Sequence, residues 1–407
     1  MKKVLKQKKK PNSLFSKLDL TLIFLFVLLL PTQLGKHFFF PFSYLSGVRV
    51  DYLAPTIYIG DIIILFLTVI NFHTLVAIFR KRFVLLFLLL IPNIIFAQSV
   101  PVAFYRYIKI IELITLGIIA HKYVLSNKTL LLALLITSLF QFTLSVLQLA
   151  SKHSLQGIFY LFGERYITLS MPGIAKASLN GIEFLRPYGT FSHPNSMAGF
   201  FLLLYIWILI DKRFNRFLFL KYITLLVMSL LVFISFSKVA MITYVILSVY
   251  YLFRSTKFSC QFCKWARLVI LITVAALFIQ AHTDPLTIQK RIELAGNSLK
   301  IIFQNPIIGV GMGNYLIAQN QFSSKFSYFF NQPVHNIFLL LFAELGIPLG
   351  LFIFYTTYRL IKNLPSIYYL LLTAIFITGM FDHYWLTLQQ NFLLIGFIIG
   401  VNLKRSV

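Results

Sequence analysis

Long apolar runs separated by short polar segments dominate the chain. Runs of about 16–22 apolar residues recur along it, and about 20 residues are enough to cross a bilayer as a helix. A chain built in this way satisfies its backbone hydrogen bonds inside helices. The pattern predicts an all-α polytopic membrane protein with about twelve transmembrane helices.

The apolar runs define the boundaries of the predicted spans to within a few residues. They lie near residues 18–34, 61–79, 83–98, 102–121, 129–150, 194–211, 217–236, 238–253, 267–281, 335–357, 366–381 and 385–402. Residues 1–17 form a basic tail, and residues 18–407 form a single transmembrane domain. The tail and first run resemble a signal peptide, but no small-residue cleavage site follows, so a retained helix is predicted.

The distribution of basic residues predicts the orientation of the chain. If the N-terminus is cytoplasmic, the dense clusters among the 37 Lys and Arg residues fall in short loops on that side. The positive-inside rule therefore places both termini in the cytoplasm. Two long connections, at about residues 151–193 and 282–334, then lie on the non-cytoplasmic face, and long ordered loops usually carry function.

Composition agrees with this class. The chain is 59% hydrophobic and only 12% charged, whereas a soluble domain is nearer one-quarter charged. The net charge of +26 is dispersed over loops next to anionic lipid headgroups, so membrane lipids rather than nucleic acid are the expected partners. Cys260 and Cys263 form a lone CxxC pair, which makes a poor zinc site and is predicted to be reduced and incidental.

Polar residues collect in three segments at one predicted membrane face. RPYGTFSHPNSMAGF (residues 186–200) ends the first long loop, KRIELAGNSLKIIFQNPIIGVGMGNY (290–315) lies in the second, and PVHNIFLLLFAELGIPLG (333–350) begins the tenth span. The first and third segments begin helices that run inward, so two helix N-termini present free N–H groups to one region. Such helix ends bind phosphate and carboxylate groups.

Basic residues are predicted to surround this region. The candidates are Arg186, Arg291, Lys238 in a tight outer turn, and Arg106 with Lys109 near the outer end of the fourth span. Charges at membrane depth are costly and are usually functional. Together they predict an outward-facing site for an anion such as a pyrophosphate.

Other polar residues of these segments have two interpretations each. His335 is the candidate catalytic residue, since histidine accepts protons near neutral pH, or else it is a helix cap. His193 and Asn195 are expected to shape the turn into the sixth span, where Pro194 suits the first helical turn and His193 or Ser192 is the candidate cap.

The glycine run and the last outer turn are also candidates. Gly309, Gly311 and Gly313 either cradle a phosphate through backbone N–H groups or form a tight turn that packs the loop onto the membrane. Glu344 is expected to make a buried interhelical hydrogen bond. The remaining candidates are Asp382 and His383, as possible contacts of an acceptor.

Three stretches, RPYGTFSHPNSMAGF, NPIIGVGMGNY and HNIFLLLFAELGIPLGLF, resemble the signature regions of the O-antigen ligase / O-antigen polymerase superfamily. They occur in the family's order over residues 186–350, and the start of the second span, YIGD, is also similar. The resemblance implies a glycosyltransferase in the bacterial inner membrane that acts in surface polysaccharide biosynthesis. It would move a glycan from an undecaprenyl-diphosphate carrier to an acceptor hydroxyl on the non-cytoplasmic face, without metal or other cofactor.

The resemblance also implies roles for three residues. Arg186 and Arg291 would bind the diphosphate, and His335 would activate the acceptor. One position departs from the family, which often has Ser-Arg where this chain has Ser237 and Lys238. Lysine keeps the charge but lacks the planar fork of arginine.

Two other classes of function are compatible with the composition. A transporter or flippase would place polar groups near the bilayer midplane, often in broken helices, and an assembly partner would need no convergent cations. Acidic residues number only 11, so neither a metal cage nor a paired-carboxylate hydrolase site is predicted. Ligase and polymerase stay equally open, because only the acceptor, a glycan or a lipid, distinguishes them.

Overall fold

The computed structural model describes residues 14–82, 84–123, 125–179, 181–254, 287–322, 331–362 and 366–403, together with residues 265, 268, 269, 271–273, 276 and 278. Helices dominate these ranges. They are α1 (Leu14–Leu29), α2 (Ile59–Ile70), α3 (Phe72–Arg82), α4 (Val84–Ile95), α5 (Val100–Lys122), α6 (Asn127–Ser151), α7 (Pro194–Ile210), α8 (Leu218–Ile234), α9 (Lys238–Arg254), α10 (Thr287–Gln304), α11 (Tyr315–Gln319), α12 (Ile337–Ile361), α13 (Tyr369–Gly379), α14 (Tyr384–Thr387) and α15 (Gln389–Asn402).

Short strands in the described loops pair as antiparallel ribbons. They are β1 (Gly35–His37) with β4 (Thr56–Tyr58), β2 (Tyr44–Leu45) with β3 (Val48–Arg49), and β5 (Lys176–Leu179) with β6 (Ile182–Leu185). In the third ribbon, Lys176 lies opposite Leu185. The backbone N–H of Arg186 continues this ribbon by donating to the carbonyl of Ala175 at 3.2 Å. The ribbon therefore fixes the start of the first polar segment.

Three helical segments in the described part are long and apolar enough to cross a membrane: Asn127–Ser151, Lys212–Ile234 and Ile337–Arg359. The pair α2 and α3 is a fourth candidate, but it bends by 86° where a single span was expected at 61–79. Asn71 lies at this bend, and its amide donates to Asp19 on α1 at 2.8 Å. The helical fold is therefore confirmed in outline, and the number of twelve spans and their orientation stay predictions.

Some sequence predictions fall outside the described residues. They concern most of the ninth span at 267–281, the pair Cys260 and Cys263, residues 1–13 of the tail and residues 404–407.

Helix α7, which follows the first polar segment, lies at the centre of the bundle. Almost all of its residues are buried, including Met197, Phe201 and Trp207. A helix that is apolar on every side is typical of a core position. It contacts α8, α9, α13 and α15. The N-terminus of α7 is therefore held by several neighbouring helices.

Helices α5 and α15 approach closely through glycines. A Cβ atom at Gly396 would lie 2.8 Å from the carbonyl oxygen of Leu113, and one at Gly400 would clash with Gly117. Small residues at four-residue spacing are typical of tight helix contacts in membranes. This contact brings the first half of α5, with Arg106 and Lys109, beside the turn that precedes α15.

Helix α12 is broken at Gly346, whose backbone φ of 76° is a positive value that glycine adopts readily and other residues rarely do. Pro348 has no N–H for the carbonyl of Glu344, which instead accepts from the backbone of Gly311 at 3.0 Å. The N–H of Val310 donates to the carbonyl of Ala343 at 3.0 Å. The break lies about 14 Å along the helix, so the loop expected at 282–334 reaches into the bundle.

Candidate functional site

Two glutamines of α6 hold the backbone of the first polar segment. Gln148 accepts hydrogen bonds from the backbone N–H groups of Tyr188 (2.9 Å) and Gly189 (2.8 Å), and Gln141 accepts from Thr190 at 3.0 Å. Irregular backbone among membrane helices persists only where protein groups satisfy it. The sequence signal that was missed is the spacing of Gln141 and Gln148, which puts both on one helix face two turns apart.

Arg186 is buried between this segment and the turn before α9. Its Nε donates to the carbonyl of Ser235 at 3.0 Å, and its Nη2 donates to the side-chain oxygen of Asn195 at 2.6 Å. Burial lowers the pKa of Arg186 to about 10, so the guanidinium remains protonated at neutral pH. The turn that contacts Arg186 continues into Lys238, the half-buried first residue of α9.

His193 caps the N-terminus of α7, and Pro194 lies in the first turn, as the sequence predicts. The Nδ1 atom of His193 accepts from the backbone N–H of Asn195 at 3.1 Å. Burial lowers the pKa of His193 to about 3, so its ring is neutral at neutral pH. A neutral ring that accepts at Nδ1 carries its proton on Nε2.

Asn195 connects Arg186 with Asp382. Its Nδ2 donates to Asp382 at 2.8 Å, and the other oxygen of that carboxylate accepts from the backbone N–H of His383 at 2.8 Å. Burial alone would raise the pKa of Asp382, but the surrounding histidines and Arg291 hold it below its usual range. Asp382 is therefore an ionised anchor with partners in the protein, whereas the sequence suggested a contact to the acceptor.

His335 is not a helix cap. The sequence placed the start of this helix at residue 335, but α12 begins at Ile337, and Asn336 accepts from the N–H groups of Phe338 (2.9 Å) and Leu339 (3.0 Å). Asparagine is a stronger N-cap, which explains the shift. Among the described residues, the buried Nδ1 of His335 has no hydrogen-bond partner.

His335, His383 and Asp382 form one cluster. A potential ligand atom of each lies within 4.8 Å of the others, and the two imidazole rings are 5.3 Å apart. The sequence did not predict this group of metal-ligand types, because the residues come from two distant segments. Tyr52 from the first connection packs edge-on against His383 at 5.6 Å and was also missed.

The electrostatic environment keeps His335 neutral. Burial lowers the pKa of His335 to about 3, with Asp382 opposing this shift and His383, Arg291 and His193 adding to it. A neutral imidazole can accept a proton.

Arg291 reaches the same cluster from the second long connection. Helix α10, which carries it, packs against α12. Arg291 influences the pKa of Arg186, His193, His335, Asp382 and His383. The buried Nε atom of Arg291 has no hydrogen-bond partner within the described part of the chain. The structure therefore brings the two predicted diphosphate ligands and the candidate histidine together.

Arg106 approaches from α5. It donates to the carbonyl of Tyr52 at 3.3 Å and influences the pKa of His383. Throughout the described ranges, no carboxylate forms an ion pair with Arg106, Arg186, Lys238 or Arg291. The region around Asp382 therefore carries excess positive charge, which suits an anion.

Lys109 has a different environment from the other predicted cations. It forms ion pairs with Asp61 and with Glu112, the latter at 3.2 Å, and all three side chains are largely buried. Gln389 donates to Asp61 at 2.5 Å. Since two carboxylates already compensate its charge, Lys109 joins α2, α5 and α15, and its contacts favour a structural role over diphosphate binding.

The glycine run does not cradle a phosphate. The backbone N–H of Gly309 donates to the carbonyl of Asn305 at 3.1 Å, and that of Met312 donates to the side-chain oxygen of Asn93 at 3.0 Å. The N–H groups of Val310 and Gly311 donate to the carbonyl oxygens at the break in α12. The three glycines have φ values of 73°, 95° and 78°. The run is therefore a tight turn, the second of the two interpretations drawn from the sequence.

Glu344 lies beneath this turn. Its buried carboxylate is hydrogen-bonded by the backbone of Gly313 and Tyr315, so it joins α12 to the start of α11. This contact agrees with the buried hydrogen bond that the sequence favoured.

Residues 195–355 match the family described as O-antigen ligase. The matched range includes Asn195, Arg291, the glycine run and His335, while Arg186 and Asp382 flank it. No curated protein matches the chain. Over this range the family match confirms the resemblance seen in the sequence, so residues 195–355 are similar to the O-antigen ligase family.

Proposed function

We propose that this protein transfers a glycan from an undecaprenyl-diphosphate carrier to an acceptor hydroxyl on the non-cytoplasmic face of the bacterial inner membrane. The observation that supports this most is the convergence of Arg186, Arg291 and neutral His335 around Asp382. Fixed cations beside a proton acceptor are the groups that such a transfer needs.

In this proposal the arginines bind the leaving group. Arg186 and Arg291 hold the diphosphate, with Arg106 and Lys238 adding positive charge at the edges. As the bond between the sugar and the phosphate oxygen breaks, its electron pair moves to the diphosphate. Cations already fixed in place stabilise that charge without reorganising. Lys109 has no part in this step, because Asp61 and Glu112 compensate its charge.

His335 accepts the proton of the acceptor hydroxyl while the oxygen of that hydroxyl forms the new bond to the sugar. Asp382 then stabilises the resulting imidazolium, since it raises the proton affinity of His335. The donor contributes as well. Its negative charge offsets Arg291, one of the groups that lower the pKa of His335, so donor binding makes the histidine a stronger base. The proposed reaction uses no metal, because arginine charge supplies the electrostatic stabilisation.

A transporter or flippase is the second candidate, and the break in α12 at Gly346 is the observation in its favour. In transporters, the carbonyls freed at such a break coordinate the substrate or ion. Here the carbonyl of Ala343 accepts from Val310, and that of Glu344 accepts from Gly311 and Asn93. The break is therefore closed by the protein, which favours the transfer reaction.

Reconstitution of the purified protein tests the proposal. It would be incubated with glycan-linked undecaprenyl diphosphate and with glycan or lipid acceptors. We expect transferred glycan and free undecaprenyl diphosphate in equal amounts, and the acceptor used would distinguish ligase from polymerase. Movement of intact donor across vesicles without release of the carrier would instead establish the flippase.

A further inference from the structure

The cluster of His335, His383 and Asp382 has a second chemical capacity. We propose that these three side chains form a site for a divalent transition-metal ion of the Zn²⁺ class, and that the bound ion inhibits the protein by occupying His335. The binding stands on the geometry of the cluster alone, whereas the inhibition rests on the proposed function.

The donor set and its dimensions fit such an ion. Two imidazole nitrogens and one carboxylate oxygen lie within 4.8 Å of one another. Ligand atoms sit about 2 Å from Zn²⁺, so the three groups need to close by only about 1 Å. Imidazole ligands suit zinc and copper, whereas Mg²⁺ prefers oxygen ligands. The site should therefore select transition metals over Mg²⁺.

The surroundings of the cluster support the same conclusion. Nδ1 of His383 is hydrogen-bonded to Oγ1 of Thr387 at 2.7 Å, which leaves Nε2 of that ring for an ion. Asn195 holds one oxygen of Asp382 at 2.8 Å. Metal-binding histidines and carboxylates are usually oriented by such outer hydrogen bonds. His335, whose buried Nδ1 has no partner among the described residues, supplies the third ligand.

Neighbouring charges set the character of the binding. The positive charges of Arg186 and Arg291 oppose a dication, while the carboxylate group of Asp382 attracts it. Binding should therefore be reversible, and a chelator should remove the ion. An inhibitory site of this kind is compatible with a reaction that itself needs no metal.

Zinc titration of the purified full-length protein in detergent tests the binding. Cys260 and Cys263 would first be changed to serine, because a CxxC pair could also take zinc. In this background we expect one Zn²⁺ per chain by calorimetry, no binding of Mg²⁺, and at least about tenfold weaker Zn²⁺ binding in His383→Gln. His73→Gln, at an exposed histidine of α3, is the matched control and should bind as the parent does. Absence of zinc binding, or equal binding by His383→Gln and the parent, would overturn the site.

Transfer assays test the inhibition separately. Zn²⁺ should inhibit transfer, EDTA should reverse the inhibition, and His383→Gln should need at least about tenfold more Zn²⁺ relative to its own activity. Zinc binding without any glycan transfer would refute the proposed function and leave the site intact. Glycan transfer that Zn²⁺ does not affect would refute the inhibition.

Discussion

Two buried polar clusters in this apolar protein differ in charge balance. In one, the ammonium group of Lys109 meets two carboxylates, Asp61 and Glu112. In the other, Arg186 and Arg291 share the influence of a single carboxylate, Asp382, and neither forms an ion pair in the described chain. In the first cluster the positive charge is paired with carboxylates, whereas the second has positive charge left over.

This difference in charge pairing distinguishes buried charged residues with a structural role from those with a functional role. Uncompensated charge is costly in an apolar environment, so a protein retains it where a ligand will complete it. By this criterion, we expect the Lys109 cluster to hold three helices together and the Arg186 cluster to bind an anion. Both contain basic residues, so residue type alone does not distinguish them.

The largest effect is expected at the proposed base. His335→Ala should reduce transfer by about 10²–10⁴-fold, the usual contribution of a general base, while donor binding persists. Single-turnover transfer and donor binding would be measured on membrane-inserted protein. His73→Ala serves as the control for histidine loss in general. Normal transfer by well-inserted His335→Ala protein would remove the histidine from the mechanism.

Breaking the Lys109 cluster should affect folding. Lys109→Met leaves two carboxylates facing each other and should destabilise the protein by about 3–5 kcal/mol, as removal of one partner from a buried ion pair does. Thermal unfolding in detergent would measure this. Adding Asp61→Asn and Glu112→Gln should recover much of the loss. If instead folded Lys109→Met protein bound the donor more weakly, the two clusters would not differ in role.

Breaking the Arg186 cluster should weaken donor binding. Arg186→Ala should weaken donor binding by about 2–5 kcal/mol, because the diphosphate loses a desolvated charge-assisted contact. Arg186→Lys should rescue only part of it, since an ammonium group lacks the planar fork. Equilibrium binding of the lipid-linked donor is the measurement. Unchanged donor affinity in folded Arg186→Ala protein would contradict the assignment.

The pH dependence of glycan transfer should also reflect the excess positive charge around His335. Burial and neighbouring cations lower the pKa of His335 to about 3, so in the free protein it stays neutral as the pH falls through 6.5. The decrease of kcat/KM at acid pH should therefore begin well below pH 6.5. The decrease of kcat should begin at a higher pH than that of kcat/KM, because the bound donor offsets the charge of Arg291 and raises the pKa of His335. Asp382→Asn should shift both decreases to lower pH. A tenfold decrease in kcat/KM per pH unit beginning at 6.5 in the parent would contradict this.

The smallest effect is expected from removing metal ions. Because arginines supply the positive charge in the proposed reaction, EDTA should leave transfer essentially unchanged, or raise it where traces of zinc are present. Loss of transfer that Mg²⁺ or Mn²⁺ restores would show that the charge around Asp382 is insufficient by itself.

Local patterns were enough to predict much of the protein. The apolar runs predicted helices, because a helix satisfies its own backbone within one segment of chain. The turn around His193 and Pro194 was predictable for the same reason, since capping involves adjacent residues. The family signature is likewise contained in continuous stretches.

Only the tertiary structure decided which charges are compensated. Asn195 and Asp382 are far apart in sequence, as are Lys109 and Asp61, and their contacts depend on how helices pack. The sequence left the glycine run open as a phosphate cradle or a tight turn, and only the contacts of its N–H groups with the broken helix α12 decided between them. Partners of a buried polar group are long-range contacts, and hydrophobic periodicity determines which face is buried but not which neighbour covers it.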